Sequence, residues 1–184
     1  MSGPDYLYTP LFCEENIWQL AKRLVAEGID PQALEVLFIS NAEKEVVLFN
    51  QRLSDQRGYV VWDYHVILRS RQGADDRVYD YDSRLAFPVA TADYFAATFP
   101  LQRLLVGAPP IILRVIPALS HLRDFYSDRS HMSQVIAAGE FPPWPAITPN
   151  QAQVVRLDSY WDMEGSPGDG SRVISVDAYM AAEL

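Results

Sequence analysis

Residues 59–69 constrain the fold more than any other stretch. They read Tyr-Val-Val-Trp-Asp-Tyr-His-Val-Ile-Leu-Arg and alternate along their whole length. Val60, Trp62, Tyr64, Val66 and Leu68 share one side; Val61, Asp63, His65, Ile67 and Arg69 share the other. Successive side chains of a strand point to opposite faces, so this pattern predicts one long strand. Trp62 and Tyr64 then point away from His65 and read as core. Turn-prone residues around Gly73 follow, and then a second β-like run at 77–85, in which Val78, Asp80, Asp82 and Arg84 share a face. The two runs form a hairpin, and its register decides which acid meets His65. A two-residue turn at Gln72-Gly73 sets His65 opposite Asp80. A type II′ turn at Gly73-Ala74 sets it opposite Asp82, with Asp80 one diagonal away. Either way a carboxylate lies beside the imidazole, where it fixes the tautomer and stabilises the imidazolium.

The other chemically pointed residue is Cys13, the only cysteine of the chain. Ile17, Leu20, Ala21, Leu24 and Val25 follow it at helical spacing, and Gly28 marks the helix end. Cys13 therefore opens a helix, where unpaired N–H groups and the helix dipole favour a thiolate and can hold an oxyanion. Glu14 and Glu15 in the same first turn suit the dipole but repel a thiolate, which leaves most of the activation to His65. A thiol on a helix start, an imidazole on a strand and an acid on the next strand, in that order, is the arrangement of papain-like and transglutaminase-like enzymes. The same residues also have structural readings: a cysteine as a small buried hydrophobe, a histidine and an aspartate as a plain polar pair. One cysteine excludes an internal disulfide and any multi-Cys zinc site. A zinc site from Cys13, His65 and His131 lacks ligand-pair spacing.

The rest of the chain frames these elements. Runs at 34–40 and 45–50 read as strands joined by a turn at 41–44, and 111–116 as an apolar strand. Residues 91–99 and 120–126 read as short helices capped by Thr91 and Ser120. The region 140–149 holds Pro142, Pro143, Pro145 and Pro149 and is irregular, and 165–170 is a surface loop. A leading helix followed by a strand-rich middle predicts an α+β fold with a mainly antiparallel sheet. The 184 residues fit one domain, 1–184, large enough to hold together without metals or disulfides. Lys and Arg number 15 against 24 Asp and Glu, a formal charge of −9, with no basic run. That excludes nucleic acid and anionic membranes as expected partners. The apolar stretch 104–119 is interrupted by Gly107, Pro109, Pro110, Arg114 and Pro117, too often for a membrane span, and residues 1–12 do not read as a signal peptide. A lone cysteine fits a reducing compartment, so the expectation is a cytoplasmic protein, monomeric or a small oligomer.

Several blocks resemble one family. Leu11-Phe12-Cys13-Glu14-Glu15-Asn16-Ile17-Trp18, Val36-Leu37-Phe38-Ile39-Ser40-Asn41, Val61-Trp62-Asp63-Tyr64-His65-Val66 and Tyr79-Asp80-Tyr81-Asp82 are similar to blocks of the protein N-terminal glutamine amidohydrolases. So are Phe87-Pro88, Ser127-Asp128-Arg129-Ser130-His131-Met132 and Pro142-Pro143-Trp144-Pro145, all in family order. The resemblance implies a papain-like/transglutaminase-like fold, with the N-terminal helix carrying Cys13 packed on a sheet carrying His65 and Asp80. It implies a triad of these three, choosing the first acid of the Tyr-Asp-Tyr-Asp block, and a chemistry without metal or cofactor. It also implies hydrolysis of the side-chain amide of an N-terminal Gln to Glu, with ammonia released through a thioester. N-terminal Gln peptides and proteins are the implied substrates, and an arginyl-transferase of an N-degron pathway a downstream partner. In a eukaryote the nucleus joins the cytoplasm as a location.

Selectivity for a free N-terminus requires a carboxylate for the α-ammonium. Glu15 and Asp63 are the candidates. Ser40 and Asn41, at a strand end, are candidates for hydrogen bonds to the substrate backbone, and Ser130 for a further contact. Arg129 is expected to pair with Asp82 or Asp128 and brace the site. Rivals to the amidase reading are another thiol hydrolase (an internal glutamine deamidase, a transglutaminase or a protease) and a non-catalytic module that binds N-termini.

Overall fold

The computed structural model describes residues 7–100, 109–127, 129–132, 135–149, 154–165 and 170–183. Asp128, residues 104–108 of the apolar stretch and residues 166–169 of the expected 165–170 loop lie outside the described residues.

The first helix, α1 (Cys13–Ala26), leads into β1 (Leu34–Ser40) and β2 (Val46–Phe49), then β3 (Tyr59–Trp62), β4 (His65–Gln72), β5 (Asp75–Tyr79) and β6 (Val89–Ala90). Helix α2 (Thr91–Thr98), strand β7 (Ile112–Pro117) and helix α3 (Ala118–Asp124) follow, then the short parallel pair β8 (Phe125–Tyr126) and β9 (Val155–Arg156). The described chain closes with α4 (Leu157–Trp161), β10 (Arg172–Ser175) and α5 (Val176–Glu183). Six strands make one sheet in the order β10-β7-β1-β4-β5-β6, antiparallel at every pairing. The expected mixed helix-and-sheet architecture with a mainly antiparallel sheet is what the molecule shows.

The sheet is covered on both faces. Helix α1 lays Ile17, Leu20, Ala21 and Leu24 on Val36, Phe38, Val66, Leu68 and Ile116. The alternate residues Leu37, Ile39, Ile67 and Val115 meet Tyr94 and Phe95 of α2 and Val176 and Tyr179 of α5. Each large aliphatic side chain buried this way is worth about 1.5–3 kcal/mol. Two arginines are buried completely and tie the C-terminal elements to the sheet. Arg69 reaches Asp76, Tyr179 and Glu183; Arg114 reaches Ser171 and the carbonyls of Tyr160, Asp162 and Gly165. Among the described residues no helix is long and apolar enough to cross a membrane.

Three expected boundaries move. The run at 59–69 is two strands rather than one. β3 pairs with β2 in a separate two-stranded sheet, and the chain bends at Asp63 before β4 joins the main sheet. The Asp63 carboxylate accepts from the Tyr64 N–H at 2.9 Å, and the Ser40 hydroxyl donates to the Asp63 carbonyl at 2.7 Å. These side-chain bonds replace ladder bonds and break the strand. β5 stops at Tyr79, short of 85, because the Asp80 carboxylate accepts from the Asp82 N–H at 3.0 Å and turns the chain. The two short helices begin at Thr91 and Ala118, so Thr91 and Ser120 are inside them rather than capping them. Thr91 instead donates to Asp76, and Pro117 precedes α3 with its fixed φ.

Candidate active site

Three element ends build the site. Cys13 is the first residue of α1, His65 the first of β4, and Asp80 follows the last residue of β5. β4 and β5 are antiparallel, so the start of one lies beside the end of the other. Their register pairs Gln72 with Asp75 and Leu68 with Tyr79, around a turn at Gly73-Ala74. Gly73 has φ 62, which glycine adopts at no steric cost. Continued, this register would put Asp82 opposite His65. The strand ends first, and it is the diagonal acid that bonds: His65 Nε2 lies 2.9 Å from Asp80 Oδ1, both side chains buried.

Asp80 is held from all sides. Oδ1 takes His65 and the Asp82 N–H; Oδ2 takes Gln51 Nε2 at 3.0 Å and the Tyr94 hydroxyl at 2.8 Å. Burial alone would raise its pKa, but His65 and these donors outweigh it and hold the carboxyl below its ordinary value. For His65, burial works to lower the pKa, and Asp80, with smaller help from Asp82 and Glu14, reverses this, so the imidazole titrates above its ordinary value. With Nε2 committed to Asp80, Nδ1 is the ring nitrogen left for proton transfer.

Cys13 and His65 line one cavity of about 320 Å³, together with Asp63 and Asp82. Trp62, Tyr64 and Trp161 form aromatic walls, and Leu11, Met132 and Val135 complete the apolar lining. Cys13 Sγ lies 3.6 Å from Glu14 Oε2, which also receives the Tyr64 hydroxyl at 3.1 Å. Burial of the sulfur, then the charges of Glu14 and Asp82, push the thiol well above its usual range. Burial and the nearby Glu15 bring Glu14 up to about 7, against the pull of its own N–H and the Tyr64 and Cys13 donors. Among the described residues no side chain caps α1, and the Cys13 N–H belongs to the first turn, whose donors have no intrahelical acceptor.

The family described as N-terminal glutamine amidase matches residues 8–181. The chain belongs to that family. It is 34% identical over 174 residues to the protein N-terminal glutamine amidohydrolase of Danio rerio, covering 92% of this chain and 85% of that one. Against the protein of that name from Oryza sativa subsp. indica it is 39% identical over 168 residues, 86% of this chain and 70% of that one. Against the Homo sapiens protein it is 32% identical over 173 residues, 90% and 82% of the two chains.

Within this amidase-family chain the other expected site residues fall in different places. Asp63 lines the cavity and is exposed. Ser40 holds the Asp63 carbonyl from behind, and Asn41 caps the 41–45 turn through Glu43 N–H, Glu45 N–H and the Glu45 carbonyl. Glu15 is buried and saturated: it receives Arg129 Nε at 2.8 Å and Nη2 at 2.7 Å, Ser127 at 2.9 Å and Trp144 Nε1 at 2.7 Å. Arg129 is thus a brace, as expected, but for Glu15 rather than Asp82. Ser130 lines a neighbouring hollow with Ser127 and Arg156, separated from the Cys13 cavity by Trp161. Tyr64 belongs to the core, as expected, packed on Phe38 and Trp161 with its hydroxyl on Glu14. Trp62 departs from that expectation: across the bend at Asp63 it is half-buried and stacks near-parallel to His65 with centroids 6.5 Å apart. Sequence reasoning missed Gln51 and Tyr94, whose roles depend on tertiary approach that no local pattern encodes. Asp82 had a signal, since it shares a face with Asp80.

His65, Asp80 and Asp82 each place a ligand-type atom within 4.8 Å of the others. An ion there would have to take Asp80 from His65, Gln51 and Tyr94, so the set does not fit a metal without dismantling its own hydrogen bonds.

Proposed function

We propose that this protein hydrolyses the side-chain amide of an N-terminal glutamine, giving N-terminal glutamate and ammonia. The observation that carries this is that His65, bonded behind to the buried Asp80, lines one cavity with the chain's only thiol. Cys13 Sγ attacks the amide carbon, and His65 Nδ1 takes the thiol proton and returns it to the departing nitrogen. Ammonia leaves, and a thioester joins Sγ to the former amide carbon. Water, losing its proton to His65, then cleaves the thioester and restores the thiol. Asp80 keeps the imidazole oriented and stabilises its protonated form. The Cys13 N–H is an oxyanion donor for both tetrahedral intermediates. Proton transfer of this kind contributes ~10²–10⁴-fold, and one oxyanion donor ~10²–10³-fold.

Burial and the charges of Glu14 and Asp82 keep the resting sulfur as a thiol rather than a standing thiolate. The attack is then coupled to proton transfer in the bound complex. The helix-borne thiol, strand-borne imidazole and following acid support a papain/transglutaminase-like reading of the scaffold. A substrate panel tests the function. Gln-initiated peptides release ammonia, and the same peptides N-acetylated do not. Equal release from internal glutamine would favour a general deamidase, and binding without release would favour an N-terminus-binding module.

A further inference from the structure

Among the described residues four carboxylates lie near Cys13 or His65, and three are accounted for. Asp80 is saturated by His65, Gln51, Tyr94 and the Asp82 N–H. Glu14 receives Tyr64 and the thiol. Asp63 is exposed and turns Oδ1 onto the Tyr64 N–H. Asp82 is different. It is only 6% exposed, yet it lines the cavity. Its Oδ1 accepts from the Tyr8 hydroxyl at 2.6 Å, and among the described residues no donor is bonded to Oδ2. Its backbone is fixed at both ends, N–H to Asp80 Oδ1 and carbonyl to the Arg52 N–H at 2.6 Å. Carboxylates removed from water call for a cation or donors, and this one has capacity left on its cavity side.

The reach is right for one particular cation. The ammonium nitrogen and the amide carbon of a glutamine residue stand about 5 Å apart at full extension. One Asp82 oxygen lies within 4.8 Å of a His65 ring nitrogen. An amide carbon in contact with Cys13 and His65 therefore brings the α-ammonium within range of Asp82.

Resting on the amidase reading above, we propose that Asp82 binds the α-ammonium of the substrate's first residue and is the residue that confines the reaction to free N-termini. The role expected for Glu15 or Asp63 thus passes to Asp82. Glu15 is spent on Arg129, and Asp63 is solvated, where an ion pair is worth little. A consequence follows for the nucleophile. The Asp82 charge is one of those that disfavour the thiolate. An ammonium seated on it cancels that charge, so a proper substrate eases ionisation of Cys13 as it binds.

The test compares a Gln-initiated peptide with its desamino analogue, which keeps the side-chain amide but lacks the α-amine. In the wild-type protein the Gln peptide is expected to have the higher kcat/KM by about 30-fold or more, the scale of one buried charge pair. In Asp82→Asn that preference collapses to within a few-fold, through a higher KM for the Gln peptide, while the desamino peptide, freed of the Asp82 charge, reacts no more slowly than before. A preference that survives Asp82→Asn intact overturns the proposal. If that variant does not fold, Tyr8→Phe removes only the hydroxyl that orients Asp82, and the same preference is expected to fall several-fold. An unchanged preference there overturns the proposal as well. Wild-type protein that releases no ammonia from the Gln peptide overturns the amidase reading itself, whereas release from both peptides at equal rates overturns ammonium recognition alone.

Discussion

At the scale of single residues, the site depends on opposed electrostatic demands being settled by contact. Burial pushes His65 toward neutrality, and the 2.9 Å bond to Asp80 pulls it back beyond its ordinary value. His65 must be unprotonated to accept the thiol proton. The acid limb of kcat/KM is therefore expected above the ordinary imidazole value of about 6.5. Asp80→Asn removes the charge that raises His65, so the limb moves to lower pH while kcat falls by about 10²–10⁴-fold. A limb that stays in place in a folded Asp80→Asn protein would assign that ionisation to another group. Asp80 and Asp82 separate by parameter: loss of Asp80 acts on kcat, loss of Asp82 on KM.

At the scale of elements, the site is assembled from termini, and what holds the one that carries Cys13 is the Glu15–Arg129 cluster. Glu15, in the first turn of α1, is fully buried and takes four hydrogen bonds from Arg129, Ser127 and Trp144. Arg129→Ala leaves that carboxylate unpaired out of water, a loss of about 3–5 kcal/mol, read as a lower urea midpoint. Arg129→Lys should fall between, since it keeps the charge but not the two-pronged geometry. An unchanged midpoint in Arg129→Ala would mean the cluster is not what fixes the start of α1. Local patterns carried much of this scale. The amphipathic period after Cys13 yields α1, and the apolar run at 34–40 is β1 at its full length. The hairpin register was narrowed to two choices by the turn residues, and neither choice includes the Asp80 turn that ends β5. Strand breaks made by side chains, as at Asp63 and Asp80, are invisible to alternation, because the residues on both sides of the break still alternate. The positions of Gln51 and Tyr94 were equally hidden, since each comes to Asp80 from a separate element.

At the scale of the whole molecule, His121 is one source of acid sensitivity away from the site, beside the depressed carboxyls of Asp76 and Glu183. His121 is fully buried among Phe38, Phe125 and Tyr160, and burial depresses its pKa to about 3. The unfolded chain binds a proton there below about 6.5 that the native protein does not, so stability present above that pH is lost as pH falls toward 3. The slope from this one group is about 1.4 kcal/mol per pH unit. His121→Leu should flatten the change in urea midpoint between pH 7 and pH 5; an unaltered slope would place the acid sensitivity elsewhere. The account as a whole turns on a single sulfur, and the chain carries one cysteine, so thiol labelling reports on Cys13 alone. The most direct measurement is ammonia release from a Gln-initiated peptide followed against iodoacetamide incorporated per molecule. Activity is expected to fall in proportion to the label and vanish at one per chain, with Gln peptide slowing the labelling. A fully alkylated, folded protein that still releases ammonia would contradict it.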